Sequence, residues 1–124
     1  MTSRKVLLLV EDNEDNRRLI RGIAEEVDAT VIEADNGADG VRMARSASPD
    51  LILMDLSLPV MDGWEATARL KRDPLTQGIP VIAITAHAMD GDREKALAAG
   101  CDEFVTKPIQ VGAFVQLLER FLEV

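Results

Sequence analysis

Five short apolar runs, each followed by a longer amphipathic stretch, limit what this chain can fold into. Val6-Leu7-Leu8-Leu9-Val10, Leu51-Ile52-Leu53-Met54 and Val81-Ile82-Ala83-Ile84 are continuously apolar. Strands buried on both faces read this way, whereas half-exposed strands alternate. Thr30 to Ala34 and Glu103 to Thr106 are weaker and read as flanking strands. Helical spacing fills the intervals. Asn16 to Val27 carries Leu19, Ile20, Ile23, Ala24 and Val27, and Gly37 to Ala47 follows Asn36 with Val41 and Ala44 inward. Gly63 to Arg72 carries Trp64, Thr67, Ala68 and Lys71, and Asp92 to Ala99 stops at Gly100, a C-terminal glycine. Val111 to Leu122 carries Phe114, Leu117, Leu118, Phe121 and Leu122 on one face. Gly22, in mid-helix, suggests close packing against a neighbour.

A β-α unit repeated five times predicts an α/β fold. Strand–helix–strand crossovers are right-handed and make the strands parallel. Strands apolar on both sides need helices on both faces, which gives a doubly wound five-stranded sheet with five helices. Ligands of such folds bind beyond the carboxyl ends of the strands, where strand order reverses. The residues there are Glu11-Asp12, Asp55, Thr85 and Lys107-Pro108. Three carboxylates, a hydroxyl and an ammonium should therefore meet at one rim. Any one of them alone would be an ordinary charged loop residue. Asp55 directly follows four apolar residues, so its base should be partly buried. Carboxylates this close repel unless a cation intervenes, and hard oxygen donors of this kind suit Mg²⁺.

Composition narrows the partners. The 124 residues carry a net charge of −8, which disfavours nucleic acid and anionic membranes. Cys101 is the single cysteine, so no internal disulfide forms, and a small buried side chain is expected there. The N-terminal apolar run is too short for a signal segment, and nothing approaches the ~20 apolar residues of a membrane span. A soluble, cytoplasmic protein is expected, one domain over residues 1–124.

With these residues in place, the chain resembles the receiver domains of two-component response regulators, the CheY-like family, over essentially its whole length. The marks are Val10-Glu11-Asp12-Asn13, Asp50-Leu51-Ile52-Leu53-Met54-Asp55, Leu58-Pro59-Val60-Met61-Asp62-Gly63, Ile84-Thr85-Ala86 and Lys107-Pro108-Ile109. It looks like the single-domain members. The resemblance implies strand order 2-1-3-4-5 and a phosphoryl group accepted on Asp55 from a histidine kinase or histidine phosphotransfer protein. It implies Mg²⁺ held by Asp12, Asp55 and the backbone carbonyl of Ser57, with Glu11 acting through a coordinated water. Lys107 would pair with the acceptor and then with a phosphoryl oxygen, and Thr85 would donate to the phosphoryl group. Phe104 would be the aromatic switch, although a plain core phenylalanine fits the sequence too. The Lys107–Pro108 bond would be cis, and Pro59 and Gly63 would shape the loop after Asp55. Ser57 and His87 would tune phosphoryl lifetime, with a solvent-facing loop residue an equal reading of His87. Arg17, Arg18 and Arg21 read either as a solvated helix face or as a docking face for the phosphodonor.

Such a protein is a switch rather than an enzyme, catalysing only its own phosphorylation and dephosphorylation. Its output would be a downstream protein target, met on the fourth-helix, fifth-strand and fifth-helix face near Met89, as a monomer or weak dimer. A haloacid-dehalogenase-type hydrolase would need an Asp where Ser57 stands, and a cap domain. A flavodoxin-type carrier would need a hydroxyl- and glycine-rich loop in place of Glu11-Asp12-Asn13-Glu14-Asp15. A pseudo-receiver would lack part of the five-residue set, all of which is present. A receiver excised from a hybrid histidine kinase or a larger regulator remains the alternative.

Overall fold

The computed structural model describes residues 4–58, 61–86 and 89–123. Strands and helices alternate as expected: β1 (Val6–Val10), α1 (Glu14–Glu26), β2 (Thr30–Ala34), α2 (Gly37–Ala47), β3 (Leu51–Asp55), α3 (Gly63–Arg72), β4 (Val81–Thr85), α4 (Asp92–Ala99), β5 (Glu103–Thr106) and α5 (Val111–Leu122). The sheet is parallel throughout, in the order β2-β1-β3-β4-β5. Strand order reverses at β1, which pairs with β2 on one side and β3 on the other. The crevice of a doubly wound sheet therefore opens where β1 and β3 end.

The period of two along each strand divides the core. Leu7, Leu9, Leu51 and Leu53 meet Ile20, Ile23 and Ala24 of α1 and Phe114, Leu118 and Leu122 of α5. Leu8, Val10, Ile52 and Met54 meet Ala44 of α2, Ala66 and Leu70 of α3, and Ala96 of α4. All residues of β3 and β4 are buried. The continuous apolar runs arise because both sides of these strands are covered.

Helix α1 begins at Glu14, two residues before the expected Asn16. Asn13 is its N-cap, with the side chain accepting from the Asn16 N–H, and Glu14 and Asp15 complement the dipole of the first turn. Leu19, expected inward, is 41% exposed, because the inward stripe runs through Ile20, Ile23, Ala24 and Val27. The inward face of α3 also differs from expectation. Gly63, Ala66, Thr67 and Leu70 are buried, while Trp64 is half-buried beneath the Lys95 ammonium, 5.5 Å from the ring centroid.

Gly22 does not serve close packing. A Cβ added there would meet nothing within 4 Å. Glycine in an exposed helix interior leaves extra freedom to the unfolded chain. Gly22→Ala should therefore stabilise the protein by about 0.5–1 kcal/mol. Denaturant unfolding of the two proteins checks this, and a destabilised variant would show that the position is constrained after all.

Candidate functional site

The site lies at the carboxyl end of the sheet, and each member is placed by the end of a strand. Glu11 follows β1 immediately, its N–H still donating to the Ala34 carbonyl of β2 at 3.0 Å. That pairing holds its side chain under the rim at 2% exposure, while Asp12, one residue on, is exposed. Asp55 is the last residue of β3 and is 5% exposed. Thr85 ends β4 and is buried, and its carbonyl accepts from the Lys107 N–H at 2.8 Å. This main-chain bond brings Lys107, just past β5, back toward β3. The Lys107–Pro108 peptide is cis, as expected.

Carboxylate oxygens of Glu11, Asp12 and Asp55 all lie within 4.8 Å of one another. The Lys107 Nζ reaches across, 2.8 Å from Glu11 Oε1 and 3.2 Å from Asp55 Oδ2. Asp55 Oδ1 accepts from the Ser57 N–H at 2.8 Å. Both Asp55 oxygens are thus held, one by a backbone dipole and one by an ammonium, so the carboxylate is oriented in advance. Burial pushes the Glu11 carboxyl up to about 7, and a hydrogen bond with Asp55 adds to the rise while Lys107 opposes it. Burial acts to lower Lys107, but the hydrogen bond to Glu11 and the charges of Asp55 and Glu11 outweigh it, and the ammonium is held above its ordinary range.

Excess negative charge around one ammonium is what a divalent cation would relieve. Three hard carboxylate donors, one of them exposed to exchange water, match the chemistry of Mg²⁺. The residue set therefore fits the ion. Gly63 closes the base of the site. Its N–H donates to the Leu56 carbonyl at 3.3 Å, and a Cβ there would lie 2.2 Å from the Asp55 carbonyl oxygen.

The five residues expected to converge lie at this one rim. Phe104 lies on β5, half-buried, packed against the α2–α3–α4 side of the core and lining a groove with Thr106, Pro108 and Leu117. Ser57 is exposed beside the site. Pro59 and His87 fall outside the described residues. The three arginines of α1 separate. Arg17 and Arg21 are engaged with Glu14 and Glu33, and Arg18 is exposed. Two features were not anticipated from the sequence. Lys107 is shared with Glu11 at the shorter distance, and Arg17 donates from Nη1 to the Glu11 carbonyl at 2.8 Å. The interval of six residues from Glu11 to Arg17 carries no signal for that contact until Asn13 is recognised as the helix start.

Comparison with known proteins agrees with this geometry. The response regulator receiver domain family matches residues 7–119. The polar-differentiation response regulator DivK of Brucella anthropi is 42% identical over 118 residues, covering 95% of this chain and 96% of DivK. The receiver domain of a sensor histidine kinase from Pseudomonas aeruginosa, solved with magnesium coordinated in its active-site cleft, is 34% identical with a TM-score of 0.88, covering 98% of this chain and all of that one. A histidine-kinase receiver domain from Syntrophus aciditrophicus is 32% identical with a TM-score of 0.87, covering 96% and 90% of the two chains. Among the described residues, no helix is long and apolar enough to cross a membrane. With its sheet order, its acidic rim and these relatives agreeing, the chain belongs to the response regulator receiver domain family, the phosphoacceptor switches of two-component signalling.

Proposed function

We propose that Asp55 is the phosphoacceptor, and that the chain as a whole is one receiver domain acting with Mg²⁺. The observation that carries this is the Lys107 ammonium lying between Glu11 and Asp55, with the Asp12 carboxylate beside them. An Asp55 oxygen attacks phosphorus as the bond from phosphorus to the donor's imidazole nitrogen breaks, and that electron pair returns to the ring. Asp12, Asp55 and the Ser57 carbonyl would hold Mg²⁺, with Glu11 behind a water. Bound there, the ion would offset the repulsion between the carboxylates and the incoming phosphoryl oxygens. Lys107 pairs with a phosphoryl oxygen after transfer, and the Thr85 hydroxyl donates to another. Such transfer rests on positioning and charge, with little covalent work for the protein.

The donor is a phosphohistidine of a kinase or phosphotransfer protein, and the readout is a change in a protein-binding surface. Phe104, between the core and its groove, is the switch side chain, and Ser57 and His87 adjust phosphoryl lifetime. Helix α4 suits an output element, since it buries only Ala96 of its eight residues and leaves Leu97 exposed, with Met89 exposed just before it. Identity is higher to DivK than to the kinase receiver, so a domain excised from a hybrid kinase is the less favoured reading. The protein catalyses only its own phosphorylation and dephosphorylation, in the cytoplasm, as a monomer or weak dimer that does not itself bind nucleic acid.

Labelling with acetyl phosphate and Mg²⁺ tests the proposal. The parent should gain one acid-stable, base-labile phosphoryl group, and Asp55→Asn or addition of chelator should abolish it. Labelling that survives in Asp55→Asn would place the acceptor elsewhere. A second expectation concerns the donor. Arg18 is the exposed arginine of α1, so Arg18→Glu should slow transfer from a phosphohistidine partner while leaving acetyl phosphate labelling intact. Equal loss with both donors would count against docking on this helix.

A further inference from the structure

Arg17 stands behind the acidic rim rather than in it, and its contacts are unlike those of its neighbours. Its side chain is 18% exposed. Nη1 donates to the Glu11 backbone carbonyl at 2.8 Å, while Nη2 and Nε donate to Glu14 Oε2 at 2.7 and 3.1 Å. Nε also lies 3.4 Å from Glu33 Oε1 of β2. One planar group thus spans the end of β1, the first turn of α1 and the edge strand. Arg21 shares the same two carboxylates, donating to Glu14 Oε1 at 2.8 Å and to Glu33, without a bond to Glu11. The carbonyl that Arg17 holds belongs to the peptide joining Glu11 to Asp12. Fixing that peptide plane sets the direction in which the Asp12 side chain leaves the chain, two residues before α1 begins at Glu14. A guanidinium can do this because its donors lie in a rigid fork, so anchoring on Glu14 and Glu33 constrains the nitrogen aimed at Glu11.

We propose that Arg17 is a positioning residue for the cation site, holding the Glu11–Asp12 peptide so that both carboxylates stay within reach of Asp55. This rests on the Mg²⁺ site proposed above. The proposal makes a prediction opposite in sign to that of simple electrostatics. A positive charge bonded to a residue of a cation site repels the cation, so charge alone predicts that removing Arg17 tightens Mg²⁺ binding. Positioning predicts the reverse, as for other groups that orient metal ligands.

Calorimetric titration of Mg²⁺ into the unphosphorylated protein decides between them, with thermal unfolding of each metal-free variant recorded to confirm that it is folded. Arg17→Gln should weaken Mg²⁺ about tenfold. Arg17→Lys keeps the charge and one donor without the fork, so it should fall between Gln and the parent, and it gives the same comparison if Arg17→Gln does not fold. Arg21→Gln removes the same charge from the same network but no bond to Glu11, so its affinity should equal or exceed the parent's. An Arg17→Gln protein that binds as tightly as the parent, or an Arg21→Gln protein weakened as much as Arg17→Gln, overturns the proposal. A parent that binds no Mg²⁺ overturns the cation site itself, and the role of Arg17 with it.

Discussion

Gly63→Ala should destabilise the protein by about 3 kcal/mol or more and sharply lower both Mg²⁺ affinity and acetyl phosphate labelling. A single methyl group is added, but there is no space for it. The new Cβ would lie 2.2 Å from the Asp55 carbonyl oxygen, 2.7 Å from the Leu56 Cα and 2.9 Å from the Asp55 carbonyl carbon. All three are backbone atoms at the end of β3, and neither a rotamer change nor a flexible side chain can relieve the overlap. Relief requires α3 to move away from the sheet or β3 to move toward its neighbours. α3 is fixed by Ala66 and Leu70, both fully buried, and β3 by its pairing with β1 and β4. Either movement changes the geometry at Asp55, so stability and phosphoacceptor function should fall together. Gly22→Ala is the matched control, since it makes the same substitution in another helix where nothing is within 4 Å. Urea unfolding, Mg²⁺ titration and labelling of both variants measure the contrast. A Gly63→Ala protein with parental stability would mean that α3 can be displaced at little cost.

The same pair of glycines marks the limit of what the sequence reveals. The strand runs and four of the five helices have the expected bounds because their signals are local. Apolar runs four or five residues long, capping residues such as Asn36 and Asp62, and Gly100 at positive φ act on the chain within a few residues. Asn13 is a signal of the same kind, and reading it as part of an acidic loop placed the start of α1 two residues late. The gathering of Glu11, Asp12, Asp55, Thr85 and Lys107 was legible because strand ends in a parallel sheet share one rim. What happens between elements was not legible. Whether a helical glycine touches a neighbour depends on which face it presents, and a one-residue rotation in assigning α3 put Trp64 and Lys71 inward in place of Ala66 and Leu70. The sharing of Lys107 with Glu11 was hidden for a related reason. Strand position places an α-carbon, while burial of the side chain depends on the Ala34 pairing across the sheet.

That burial sets up the second large effect. In chelator, the metal-free protein should lose stability as pH rises from about 5 to about 7, and Glu11→Gln should remove that loss. The Glu11 carboxyl is held up to about 7 against an ordinary value of 4.5, first by burial and then by Asp55, with Lys107 pulling the other way. A carboxyl whose folded value lies above its unfolded one binds more protons when folded. Stability therefore falls through the interval between the two values and levels off above the higher one. Lys107 is shifted upward as well, so its contribution is fully present below the ordinary lysine range and adds no slope between pH 5 and 8. The interval for Glu11 corresponds to roughly 3 kcal/mol. Glutamine preserves the shape without the charge, so in chelator Glu11→Gln should match the parent near pH 5 and exceed it by about 2–3 kcal/mol at pH 8. The difference between the two proteins reports Glu11 together with the neighbours it is coupled to, because titrations away from the site are common to both. Adding Mg²⁺ at about 100 times its dissociation constant should return about 2.7 kcal/mol to the parent and less to the variant, closing the gap at pH 8. The site is thus less stable when empty than its neutral counterpart, as expected where carboxylates are gathered for an ion rather than for the fold. Guanidinium unfolding at four pH values, with chelator and with Mg²⁺, measures the whole cycle. A parent whose metal-free stability rises between pH 5 and 7 relative to Glu11→Gln would show that Glu11 is stabilised as the anion by Lys107 alone.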